Sequence, residues 1–244
     1  MTGNSIFDTL IFDADDTLWE NNIYFEQAIE EYIELLAPLA PQPLEVKRVL
    51  NEVEHEFIPL RGYGGRNFID ALHETFRRLD CGTDGQAFSL EIETIGERLL
   101  RHPVDPMPGV AVTLAALQER HRMIVFTKGD REEQAEKLDR SGLRVFFERI
   151  EVVKEKDTAA YRQLVRRRGL PLETTAMIGN SPRSDVLPAL AAGLWAVFIP
   201  HERPWQREEE RVDPHERLLV TQAFSNLPHV LSTAGARKQS ILHE

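Results

Sequence analysis

Four short polar stretches each close or follow an apolar run, and between them they hold groups able to work on an anionic substrate. The first is Asp13-Ala14-Asp15-Asp16-Thr17, after the run at residues 9–12. The second is Thr127-Lys128, at the end of the run 123–127. The third offers Lys154 and Lys156 after residues 150–153. The fourth is Gly179-Asn180-Ser181-Pro182-Arg183-Ser184-Asp185, after residues 176–178. A carboxylate can serve as a nucleophile or as a general acid and base. An ammonium or a metal ion can offset negative charge where it develops. The formal net charge is −11, so a site for an anion must override the field of its own surface. A lysine, a metal ion or backbone amides at the point of contact would do this. The same acidity argues against a general nucleic-acid binder.

These residues can act together only if the fold brings them to one place. The apolar runs predict strands at 9–12, 123–127, 150–153, 176–178, 196–199 and 218–220. Helical patterns lie between the later ones. Asp130 and Glu133 have the spacing of a capping box, and Gly142 can close that helix. Further helices are predicted at 158–168 and up to about residue 192, with Gly193 beyond the end. Pro188 bears on where the last one starts: from Pro182 it would lie inside the helix, from Ser184 at the end of the first turn. Alternating strands and helices predict an α/β protein whose parallel sheet is covered on both faces. In such sheets, sites form outside the C-terminal ends of the strands. The four polar stretches would then meet along one edge.

Residues 19–102 change to helical period. Apolar stripes run through Ala28, Tyr32 and Leu36, then Val49, Leu50 and Val53, then Phe68, Leu72 and Phe76, then Ile92, Ile95 and Leu99. Breaks at 38–43, 61–65 and 82–85 predict about four helices. The expected organisation is a core of residues 1–18 and 103–244 with an all-helical insert at 19–102. Residues 201–217, charged and carrying Pro204 and Pro214, predict a solvated loop. No apolar run approaches the ~18 residues of a membrane span. Residues 1–8 lack the pattern of a signal peptide. One cysteine, Cys81, excludes an intrachain disulfide and is expected to be unreactive. A cytoplasmic location is expected. The eight histidines show no metal-ligand spacing and are expected at the surface, and Trp19 and Trp195 are expected to serve packing.

Taken singly, each polar stretch has an ordinary reading: a solvated turn, a strand-end cap, an exposed lysine, a helix N-terminus with serine caps. Their joint order resembles the haloacid dehalogenase superfamily, specifically its phosphatases. That family shows an apolar strand followed by Asp-x-Asp-x-Thr, a strand ending in Ser or Thr, a lysine, and Gly-Asp with a further Asp; here these read Asp13 to Thr17, Thr127, a lysine at 154 or 156, and Gly179 to Asp185. The resemblance implies a Rossmann-like, doubly wound parallel-sheet core with the helical insert as a cap domain. It also implies a Mg2+-dependent hydrolysis of a small phosphorylated metabolite, with no nucleic-acid or membrane partner.

Carried over to this chain, Asp13 is the nucleophile that forms an aspartyl-phosphate. Asp15 protonates the leaving oxygen and later deprotonates water, which implies a raised pKa. Thr127 binds a phosphoryl oxygen, with Lys128 beside it, and the lysine offsets charge. Lys156 fits that lysine better than Lys154, because Tyr161 follows on the next helix. Magnesium would be held by Asp13, the backbone carbonyl of Asp15 and the fourth motif. There Asn180 stands where Asp is commoner, so Asp185 is preferred as direct ligand and Asn180 supplies a carbonyl or an outer hydrogen bond. Arg61 and Arg66, in the glycine-rich break Arg61-Gly62-Tyr63-Gly64-Gly65-Arg66, would select the leaving group if that loop faces the site as in the resembling caps; the alternative is a flexible exposed loop. The superfamily's dehalogenases use the same nucleophile on carbon but lack the second aspartate, so Asp15 argues for phosphoryl chemistry. A phosphomutase, or a non-catalytic binding protein on this scaffold, remains as an alternative expectation.

Overall fold

The computed structural model describes residues 5–39, 42–79 and 85–241; Cys81 and parts of two of the expected breaks lie outside them. Six strands form one wholly parallel sheet: β1 (Thr9–Phe12), β2 (Arg122–Lys128), β3 (Arg149–Val153), β4 (Thr175–Gly179), β5 (Trp195–Phe198) and β6 (Leu218–Val220), in the spatial order β3-β2-β1-β4-β5-β6. Each lies within a residue or two of the run that predicts it. Register places Phe12 beside Val125 on one side and Ile178 on the other.

The pleat sorts the apolar side chains between two layers. Leu10, Phe12, Met123, Val125, Ala176 and Ile178 pack with α5 (Val110–Gln118), α6 (Arg131–Arg140) and α9 (Leu227–Ile241). Ile11, Ile124, Phe126 and Met177 pack with α7 (Thr158–Arg168) and α8 (Leu187–Ala191) on the other face. Because both faces are covered, these strands read as continuous apolar runs. The chain leaves β1 toward β2 and β3, then crosses to β4 on the other flank of β1. The order therefore reverses between β1 and β4, and a crevice is expected outside their C-terminal ends. Asp13 and Asn180 are the first residues beyond those two ends.

The chain divides into two compact units, residues 1–20 with 104–244, and residues 21–103. The second is built from α1 (Asn22–Leu36), α2 (Pro43–Arg61), α3 (Gly65–Leu79) and α4 (Gly85–Leu100). Its core gathers the predicted stripes, including Tyr32, Leu50, Val53, Leu72 and Ile92. The Tyr32 hydroxyl donates to the Leu72 carbonyl at 2.8 Å, so its one polar atom is satisfied inside. Among the described residues no helix is long and apolar enough to cross a membrane.

The helix start near Pro188 resolves in an unforeseen way. Ser181 caps it, and Pro182–Val186 forms a wide π-helical turn before α8 begins at Leu187. Pro188 has no N–H for the Ser184 carbonyl four residues back. The Tyr161 hydroxyl of α7 donates to that carbonyl instead, at 3.0 Å in a buried setting. Tyr161→Phe should leave the carbonyl without this donor and cost about 1–3 kcal/mol, read as a lower urea midpoint at unchanged m-value.

Candidate active site

Three of the expected residues meet directly. The Lys156 ammonium donates to Asp13 Oδ1 and to Asp185 Oδ1, and to the Phe126 carbonyl at 3.3 Å. Its three N–H donors are all spent in this way. Lys156 is 3% exposed, Asp13 7% and Asp185 1%. Lys154, by contrast, is exposed. Three residues past β3, Lys156 reaches across the end of β2 to the end of β1, and Asp157 next to it caps α7 by accepting from Ala160 N at 2.8 Å.

Asp185 is delivered by the π-helical turn. Its Oδ2 accepts from Ser181 N at 2.9 Å, while Ser181 Oγ accepts from Ser184 N at 2.9 Å. The carboxylate lies so close over β4 that a Cβ on Gly179 would stand 2.2 Å from Asp185 Oδ2. Only glycine allows this approach. On the other side, Thr17 Oγ1 lies 3.1 Å from Asp13 Oδ2 and 3.0 Å from Asn180 Oδ1. One hydroxyl proton thus faces two acceptor oxygens, one from each strand end at the crevice.

Electrostatics follow from this crowding. Burial raises the pKa of the Asp13 carboxyl even against Lys156. Asp185 is pushed up by burial and then by the charge of Asp13. Burial works against the Lys156 ammonium, but the two carboxylates outweigh it and hold it charged. With both carboxylates ionised, two negative charges share one positive. A donor set rich in oxygen, poor in protons and net negative fits a hard divalent cation such as Mg2+. Asp13, Asp185 and Asn180 are the side chains that would hold it.

Asp15 belongs to a different environment. Its Oδ1 accepts from Trp19 Nε1 at 2.8 Å and Lys137 Nζ at 3.1 Å, and its Oδ2 accepts from Gln134 Nε2 at 2.7 Å. Burial alone would raise its pKa, but the charge of Lys137 and these hydrogen bonds more than offset it, leaving it below the usual value. The raised pKa implied by the family resemblance is therefore not what this arrangement produces. Trp19, expected to serve packing, is fully buried and also donates to Asp15. Gln134 and Lys137 had no signal in the sequence, although their three-residue spacing puts them on one face of α6.

The remaining expected residues have other partners. Thr127 is buried at the end of β2, with its hydroxyl 3.3 Å from the Lys128 carbonyl. Lys128 turns to Ser184 Oγ at 2.9 Å and pairs with Glu208. Glu208 also accepts from Ser181 Oγ and Ser184 Oγ. Only 13% of its side chain is exposed, so the expected solvated loop at 201–217 carries an anchored carboxylate. Burial would raise its pKa, yet the Lys128 charge and the hydroxyl donors hold it low. Arg61 and Arg66 belong to the 21–103 unit. There Arg61 pairs with Asp70 at 2.7 Å and lies 4.1 Å over the Phe57 ring, and Asn67 Nδ2 donates to the Arg61 carbonyl at 2.9 Å. Arg66 is exposed. Two histidines depart from the expected surface positions: His102 is buried, and His121 is buried against the Phe7 carbonyl at 2.8 Å. Asp16, Glu20 and His201 place one possible ligand atom each within 4.8 Å of one another.

Residues 7–193 match the family model of haloacid dehalogenase-like hydrolases. The chain is 27% identical over 203 residues to a glyceraldehyde 3-phosphate phosphatase of Methanothermobacter thermautotrophicus, covering 79% of this chain and 85% of that one. Among solved structures it is similar to a haloacid dehalogenase-like family hydrolase from Xanthomonas campestris, with a TM-score of 0.84 and 29% identity over 97% of this chain and 96% of that one. A HAD-hydrolase of Bacillus subtilis bound to magnesium has the same fold, with a TM-score of 0.63 and 21% identity over 92% and 98% of the two chains.

The close approach at Gly179 yields a stability prediction. Gly179→Ala should drive Asp185 away from its place and cost about 1–3 kcal/mol through overpacking, measured as a fall in the denaturation midpoint.

Proposed function

The chain belongs to the haloacid dehalogenase-like hydrolases, and from that premise we propose that it is a Mg2+-dependent phosphatase of small phosphomonoesters. The observation that carries this reading is the buried Lys156 ammonium shared by Asp13 and Asp185 at the crevice between β1 and β4. A bound Mg2+ would supply charge neutralisation for the phosphoryl group. Asp13 attacks phosphorus and the bond to the ester oxygen breaks, leaving an aspartyl-phosphate. The donors around Asp15 favour its ionised form in the free site, so it takes up a proton with the substrate before giving it to the departing oxygen. It then takes a proton from the water that attacks the aspartyl-phosphate, so it is restored as inorganic phosphate leaves. Lys156 restrains Asp13 and offsets charge, and Thr127 lies at the neighbouring strand end to receive a phosphoryl oxygen.

The presence of Asp15 separates this chemistry from attack on a carbon–halogen bond, where no leaving oxygen needs a proton. The phosphatase relative supports the same side, and glyceraldehyde 3-phosphate is a natural member of a test panel.

The expected outcomes are specific. Hydrolysis of p-nitrophenyl phosphate should vanish in chelator and return with added Mg2+; turnover that ignores the chelator contradicts the metal's role. Asp13→Asn should abolish turnover while the circular dichroism spectrum stays that of the wild type. Lys156→Ala should lower kcat by about 10²–10³-fold, whereas exposed Lys154→Ala should leave it near wild type. The opposite ranking of the two lysines would reject the assignment.

A further inference from the structure

The clamp around Asp15 distinguishes its two oxygens. A carboxylate oxygen has about two lone pairs to offer. Oδ1 accepts from both Trp19 Nε1 and Lys137 Nζ, which fills it. Oδ2 accepts only from Gln134 Nε2, which leaves one position open. All three donors are buried: Trp19 is 0% exposed, Gln134 3% and Lys137 5%. They are also built in from the backbone. Asp130 caps α6 by accepting from Glu132 N and Glu133 N, which fixes the start of the helix. Gln134 and Lys137 follow on one face. Gly129, at φ 127°, leaves the space beside the Gln134 amide that a Cβ would narrow to 3.3 Å.

Packing alone does not call for this set. Gln134 Oε1 is buried with no protein donor among the described residues. An amide held with half its capacity unmet is costly, and such a group calls for an explanation. An apolar residue of similar size would avoid the cost but would release Asp15 Oδ2.

We propose that Lys137 and Gln134 are positioning residues that make Oδ2 of Asp15 the one oxygen through which protons pass. This rests on the phosphatase reading above. In the first step a proton taken up at Oδ2 with the substrate moves to the ester oxygen as its bond to phosphorus breaks. In the second, Oδ2 takes a proton from water as the water oxygen bonds to phosphorus and the bond to Asp13 breaks. The proton count on Asp15 returns to its start.

The test compares two esters in Mg2+: p-nitrophenyl phosphate, whose leaving group departs without a proton, and glyceraldehyde 3-phosphate, whose alkoxide needs one. The ratio of kcat/KM values reports the acid step. Lys137→Met and Gln134→Leu should lose on the order of tenfold more on the alkyl ester than on the aryl ester. Lys137→Arg, which keeps a charged donor, should recover most of the difference. Gln134→Leu carries the test if Lys137→Met does not fold. Equal losses on both esters, or none, in a wild type that hydrolyses them would overturn the positioning role alone. No Mg2+-dependent turnover of either ester by the wild type would overturn the phosphatase reading and this inference with it.

Discussion

A single ammonium ties the site together. Lys156 is buried, comes from beyond β3, and bonds the carboxylates that follow β1 and β4. A buried charge is tolerated only when paired and hydrogen-bonded. Here the requirement runs both ways, because two acidic groups within reach of each other would otherwise repel. The arrangement depends on local devices that bring each group in: Asp157 capping α7 beside Lys156, Gly179 giving way to Asp185, and the π-helical turn that presents Asp185 at all. Tyr161 supports that turn from the neighbouring helix by satisfying the carbonyl that Pro188 cannot serve.

Two aspartates two residues apart sit in opposite environments. Asp13 shares a net-negative cluster with Asp185, and burial dominates it. Asp15 is surrounded by donors, and they outweigh its burial. One short loop therefore holds two carboxylates in opposite electrostatic settings.

The 201–217 segment shows how a charged stretch can be structural. Its abundance of charge and proline suits a solvated loop, yet Glu208 is drawn in by Lys128 and the Ser181 and Ser184 hydroxyls. The serines are the same residues that shape the turn holding Asp185. The loop, the end of β2 and the turn after β4 are thereby joined into one network.

Much of the fold was legible because periodicity is a local property. Six apolar runs gave six strands, and the helical stripes of residues 19–102 gave the core of the 21–103 unit. The cap at Asp130 and the left-handed Gly142 and Gly193 were likewise readable from residue type. Asp13, Lys156 and Asp185 could be nominated because each follows a strand, and parallel strands share one C-terminal edge. What the sequence left open was every pairing across that edge. Lys154 and Lys156 differ by two residues, and only the path of the chain past β3 exposes one and buries the other. Lys128 looked available for a ligand until the fold set Glu208 against it, 80 residues later in the chain. Gln134 and Lys137 carry no motif at all; they matter because α6 packs where its buried face meets Asp15. A side chain's electrostatic character is set by its neighbours in space, and those neighbours are chosen by tertiary packing.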